Sequence, residues 1–92
     1  MADYAQPTDL RAVLERDCER LRKAKETVLF RRGENAFGLF IVLCGAVKLD
    51  LGVDSKFTRS YGRGALLGLP ATLTRRPYSM TATVTQDAEL GF

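Results

Sequence analysis

The apolar and polar positions divide the chain into two regimes. Leu10, Val13, Leu14, Cys18 and Leu21 recur at spacings of three and four, the period of one helical face. Arg11, Glu15, Arg16, Glu19, Arg20 and Arg22 fill the remaining faces. Pro7-Thr8-Asp9 opens the segment, with Thr8 suited to the N-cap and Asp9 placing negative charge where the helix dipole favours it. The spacing predicts a helix over residues 8–24. From Glu26 the period changes. "ETVLF" alternates as a strand does, and "RRGEN" reads as a turn around Gly33. "GLFIVLCGAVKLDL" carries the strongest β signal: Phe40 to Leu43 form a continuous apolar run, then Val47, Leu49 and Leu51 alternate with Lys48 and Asp50. Gly45 between the two halves suggests a bulge or bend.

Beyond it, "GVDSK" reads as a hairpin loop and "FTRSY" as a short strand. Gly62, Gly64 and Gly68 punctuate a turn that leads into a short helix with Pro70 among its first positions, and "TRRP" reads as a loop. "YSMTATVT" alternates as a strand, "QD" reads as a turn, and "AELGF" as the start of another strand. One helix followed by short strands with frequent turns predicts a mainly β fold, an antiparallel roll or barrel.

A length of 92 residues allows one domain. A hydrophobic content of 46% and a charged content of 27% belong to an ordinary globular chain. A net charge of +3, with arginines interspersed with glutamates, argues for a solvated helix face rather than a nucleic-acid stripe. No apolar run reaches the length of a membrane span, and the N-terminus lacks the pattern of a secretory signal. Two cysteines, Cys18 and Cys44, and no histidine predict two buried thiols in a reducing, cytoplasmic setting. The same count argues against a zinc site and against His-based catalysis. No nucleophile–base pair suggests an enzyme.

The candidate chemistry lies in "YGRGALLGLPATLTRRPYSMTATV", residues 61–84. A glycine-rich turn feeding a helix presents backbone N–H groups that suit an anion, and Gly68 lets the backbone approach a ligand closely. With "ETVLFRRGENAFGLFIVLCGAVKLDL", this stretch resembles the cyclic-nucleotide-binding domain of Crp/Fnr-type transcription regulators. The resemblance spans about residues 10–92 and rests on Gly33, Gly45 with Val47, and Gly62, Gly64 and Gly68. It implies an N-terminal helix followed by an eight-stranded, jelly-roll-like β-roll over residues 26–92, with a phosphate-binding cassette at 62–82. The implied ligand set is Gly68, Leu69, Pro70, Ala71, Ser79, Met80, Thr81 and Ala82, and the implied ligand is cyclic AMP or cyclic GMP.

The chain departs from the family pattern at both charged grips. Leu69 stands where cyclic-AMP binders carry a glutamate for the ribose, and Met80 or Ser79 stands where they carry the arginine for the phosphate. Buried sugar hydroxyls and phosphate then lack their charge-assisted partners. High-affinity cyclic-nucleotide binding is therefore not expected, and Leu69 and Met80 make the pocket more apolar. Arg75 and Arg76, in the loop near the expected mouth, are candidate substitutes for an anion contact. Tyr78 could stack on a ligand ring or seal the roll.

The family resemblance implies a small-molecule effector. It also implies a full-length protein that continues past Phe92 into a dimerising helix and a DNA-binding domain, binding DNA as a homodimer. This chain has no recognition helix of its own. A regulatory or scaffolding module linked to a kinase or channel, or a genuine cyclic-nucleotide binder, is the alternative.

Overall fold

A computed structural model describes residues 16–52 and 56–92. Along the chain come β1 (Arg20–Lys23), β2 (Val28–Phe30), β3 (Phe40–Asp50), β4 (Thr58–Tyr61), β5 (Leu66–Leu67), a short helix α1 (Leu69–Thr74) and β6 (Thr81–Gly91). The described strands form one antiparallel sheet. Its axis is the pair β3–β6, each 11 residues long. β2 flanks the start of β6 and β1 its end. β5 flanks the start of β3 and β4 its end. The architecture is the mainly β roll that the alternation predicts. Six strands are described where the resemblance implies eight.

The inward face is built on a change of parity. Along β6 the core positions Ala82, Val84, Ala88 and Leu90 are all even. Along β3 they are Phe40 and Val42, then Val47 with the partly buried Leu49 packed against the core. A strict two-residue period would turn one of these sets outward. The shift occurs where the β3–β6 register slips, between Val42 and Val47. Gly45 lies there at φ +90, and a Cβ on it would sit 2.5 Å from the Asp87 carbonyl oxygen and 2.7 Å from Ala88 Cα. Gly45 thus satisfies both demands of a bulge, a left-handed backbone and close strand approach. Val42, Val47 and Leu90 reach full burial, and each such aliphatic side chain stabilises the fold by about 1.5–3 kcal/mol relative to exposure.

Three expectations are corrected. The helix over 8–24 does not reach its predicted end. Arg16 and Asp17 are helical, but Arg20–Lys23 is strand β1, paired from Arg20↔Gly91 to Lys23↔Ala88. Leu21, the one apolar side chain there, satisfies either period, and the open edge of β6 decides between them. Residues 8–15 lie outside the described residues, as do 53–55 of the hairpin loop. Second, Gln86-Asp87 is no turn, because β6 runs through it unbroken. The Asp87 carboxylate accepts the Lys25 N–H at 2.8 Å, and its carbonyl crowds Gly45, so a polar pair marks a bulge partner rather than a reversal. Third, the thiols are not both buried: Cys44 is exposed and Cys18 half-buried. No helix among the described residues is long and apolar enough to cross a membrane.

Candidate functional site

The cassette begins where β5 ends. Gly68 takes a left-handed conformation, φ 81 and ψ 10, which turns the chain out of the sheet and into α1. Its carbonyl accepts the Thr72 N–H at 3.0 Å, closing the first turn. A Cβ on Gly68 would lie 2.8 Å from Tyr78 Cε1, so glycine is required by both backbone and packing. Pro70 fits the first turn but contributes no N–H. The helix carries no acidic residue in its first turn. It ends at Arg75, left-handed at φ 57, and the Arg76 N–H bonds the Ala71 carbonyl at 3.0 Å, a closure common at helix C-termini.

Tyr78 fixes this segment to the rest of the fold. Only 2% exposed, its ring stacks on Phe30 at 3.9 Å between centroids and meets Phe37 edge-on. Its hydroxyl donates to the Gly38 carbonyl at 2.6 Å and accepts the Phe37 N–H at 3.1 Å. Its own N–H bonds the Glu34 carbonyl, and its carbonyl accepts the Gly33 N–H. The ring therefore seals the roll and is not presented to a ligand. These bonds join the end of the cassette to the turn between β2 and β3.

The cross-strand register sorts the remaining residues by face. Leu49 is the partner of both Ala82 and Arg59, and Ala82, Leu49, Tyr61 and Ala71 belong to or pack against the core. On that side α1 approaches the sheet. Lys48 pairs with Thr83 and Asp50 with Thr81, which places these four on the opposite side. There Thr81 Oγ1 accepts the Arg32 N–H at 3.0 Å, and the residue lines a groove of about 690 Å³ with Arg31, Arg32, Lys48, Asp50 and Thr58. The Arg32 guanidinium is pinned there to the Leu51 carbonyl at 3.1 Å.

Of the predicted site residues, Gly68, Leu69 and Ala71 lie together at the start of α1, and Ala82 shares their core side. Leu69 and Met80 are half-buried, Pro70 and Ser79 exposed. Thr81 faces the outer groove. Arg75 and Arg76 are exposed at the far end of α1. Two features escaped the sequence reading. One is the hydrogen-bonded lock made by Tyr78. The other is Arg59 on the core-facing side, its guanidinium carbon 5.5 Å from the Phe57 ring centroid. The alternation Phe57, Arg59, Tyr61 was the available signal.

The family model described as the cyclic nucleotide-binding domain matches residues 20–92, and the chain belongs to that family. Its fold matches a solved structure described under a cyclic-GMP-dependent signalling pathway that regulates bacterial phytopathogenesis. That match has a TM-score of 0.80 and 27% identity, over 99% of this chain and 70% of that one. The N-terminal domain of a transcriptional regulator from Streptomyces coelicolor matches at TM-score 0.73 and 25% identity, over 98% of this chain and 62% of the other. A putative cAMP-binding regulatory protein from Silicibacter pomeroyi matches at TM-score 0.74 and 22% identity, over 85% of this chain and 37% of the other. No curated protein matches.

Proposed function

We propose that this chain is the effector-sensing domain of a Crp/Fnr-type transcription regulator whose pocket keeps the backbone cradle and lacks the charged grips of a cyclic-AMP binder. The observation that carries the reading is Gly68, left-handed at the head of α1 and packed on Tyr78, with Leu69 next to it and Met80 before β6. The left-handed turn into α1 is retained, with Tyr78 filling the side on which a Cβ would stand. Leu69 stands in place of the glutamate that would hold the ribose, and Met80 or Ser79 in place of the arginine that would hold the phosphate, so neither grip is charged. The similarity to the Streptomyces coelicolor regulator domain supports the regulator context, and in that context the whole protein binds DNA as a homodimer.

The reading is tested by isothermal titration calorimetry of this chain with cyclic AMP and cyclic GMP. Dissociation constants weaker than about 10 μM, less than about 7 kcal/mol of binding free energy, are expected for both. Tighter binding of either refutes the loss of the charged grips. The regulator context is tested by the sequence that follows Phe92 in its gene: a long helix and a helix-turn-helix are expected, and a kinase or channel region there refutes it.

A further inference from the structure

We propose that Arg59, held on Phe57 at the core-facing side of β4, supplies the cation that the cassette lacks, so that the pocket takes an anionic, phosphate-bearing ligand gripped from β4 rather than from β6.

Arg59, Leu49 and Ala82 form one cross-strand row. With strands about 4.8 Å apart, Arg59 and Ala82 stand roughly 10 Å apart along it with Leu49 between them, so an extended arginine reaches over Leu49 toward a phosphate near Ala82. Neighbouring Tyr61 and Leu49 pack against the core, which fixes the side on which Arg59 stands. The side with the cassette therefore has a cation, although Leu69 and Met80 remove the charges from the cassette itself.

The guanidinium is in a state suited to release. Among the described residues it pairs with no carboxylate, and its side-chain contact is with the face of Phe57. Phe57 is itself 45% exposed. A cation on an exposed ring is weakly held compared with a bidentate phosphate contact. Phe57 thus keeps the planar fork on the core-facing side without competing for it. Arg75 and Arg76 stand at the C-terminal end of α1, and like Arg59 they are exposed. Arg31, Arg32 and Lys48 line the opposite groove.

The inference rests on the cassette being an effector pocket, and its test separates the two ideas. Cyclic GMP and cyclic AMP are titrated into the ¹⁵N-labelled chain and followed by NMR, with wild type, Arg59→Gln, Arg59→Lys, Lys48→Gln and the double variant Arg59→Gln/Met80→Arg. Wild type is expected to saturate with at least one nucleotide, with a dissociation constant between about 10 μM and a few millimolar. Arg59→Gln should weaken binding by about 10- to 100-fold, the loss of one charged hydrogen-bonding group. Arg59→Lys should recover part of it, Met80→Arg should restore it from the end of the cassette, and Lys48→Gln should leave it unchanged. Equal affinity of wild type and Arg59→Gln overturns the proposal and leaves the effector pocket standing. No saturable shifts up to about 5 mM, a bound of roughly 3 kcal/mol, also overturns it while leaving a pocket for a different ligand. Binding tighter than about 10 μM that is lost in Arg59→Gln upholds Arg59 and refutes the weak-binding reading instead.

Discussion

Removing one oxygen tests how the cassette is held. Tyr78→Phe keeps the ring on Phe30 and deletes the hydroxyl that bridges the Phe37 N–H and the Gly38 carbonyl. Both backbone groups then lose their partner. A buried polar group left unmade costs about 1–3 kcal/mol. Phe37 is 56% exposed, so water repairs part of its loss, and the 2.6 Å bond to Gly38 carries more of the total. The combined cost is about 2 kcal/mol, which for a domain of this size lowers the melting temperature by roughly 8–16 °C. Thermal and urea unfolding followed by far-ultraviolet circular dichroism measure it. The urea m-value should stay unchanged, since the surface exposed on unfolding is the same. A melting temperature within about 2 °C of wild type would show that the hydroxyl bridge does not hold the turn to the cassette. Tyr78→Leu, which also removes the aromatic stack, should cost clearly more than Tyr78→Phe.

Gly45→Ala places a methyl group against Asp87 and Ala88 at φ +90 and should cost more than about 3 kcal/mol in urea unfolding. Gly33→Ala, at the same φ of +90 with nothing within 4 Å, should cost only about 1–2 kcal/mol; equal losses would refute the role given to strand contact at Gly45. Cys44 should react with a thiol reagent faster than Cys18, as its exposure requires, and mass mapping of the first adduct decides this. Glu89→Gln removes the ion pairs with Arg20 and Arg22; with both arginines well exposed, the loss should stay under about 1 kcal/mol, and a larger one in urea would show a coupled network.

What was legible in the sequence follows from what a single segment encodes. The apolar run and alternation of β3, the bulge at Gly45 and the short helix after Gly68 are local patterns, and they appear where predicted. β1 was hidden because Leu21, its one apolar side chain, fits a helical face and a strand face alike, and its partner lies at the other end of the chain. The continuity of β6 was hidden because Gln86-Asp87 has turn composition, while its reason for being strand lies in Gly45 and Lys25. The candidate site divides the same way. The backbone cradle was readable from Gly68 and Pro70. The direction of Thr81 and the presence of Arg59 beside the core depend on cross-strand register, which no one segment states.

The pairing of β1 with β6 also has a temporal side. Glu19 and Phe92 exchange both backbone hydrogen bonds, at 3.1 and 2.8 Å, and Arg20 is opposite Gly91. The first strand therefore stays without its neighbour until the end of β6 has left the ribosome. Contacts of such long sequence separation lose loop entropy before they return any stability, which slows folding. During synthesis, at about 5–20 residues per second, β3 can pair with β4 and β5 at once, but its β6 edge waits several seconds for its partner. Chain preceding Glu19 and chain following Phe92 therefore leave this pair of strands side by side.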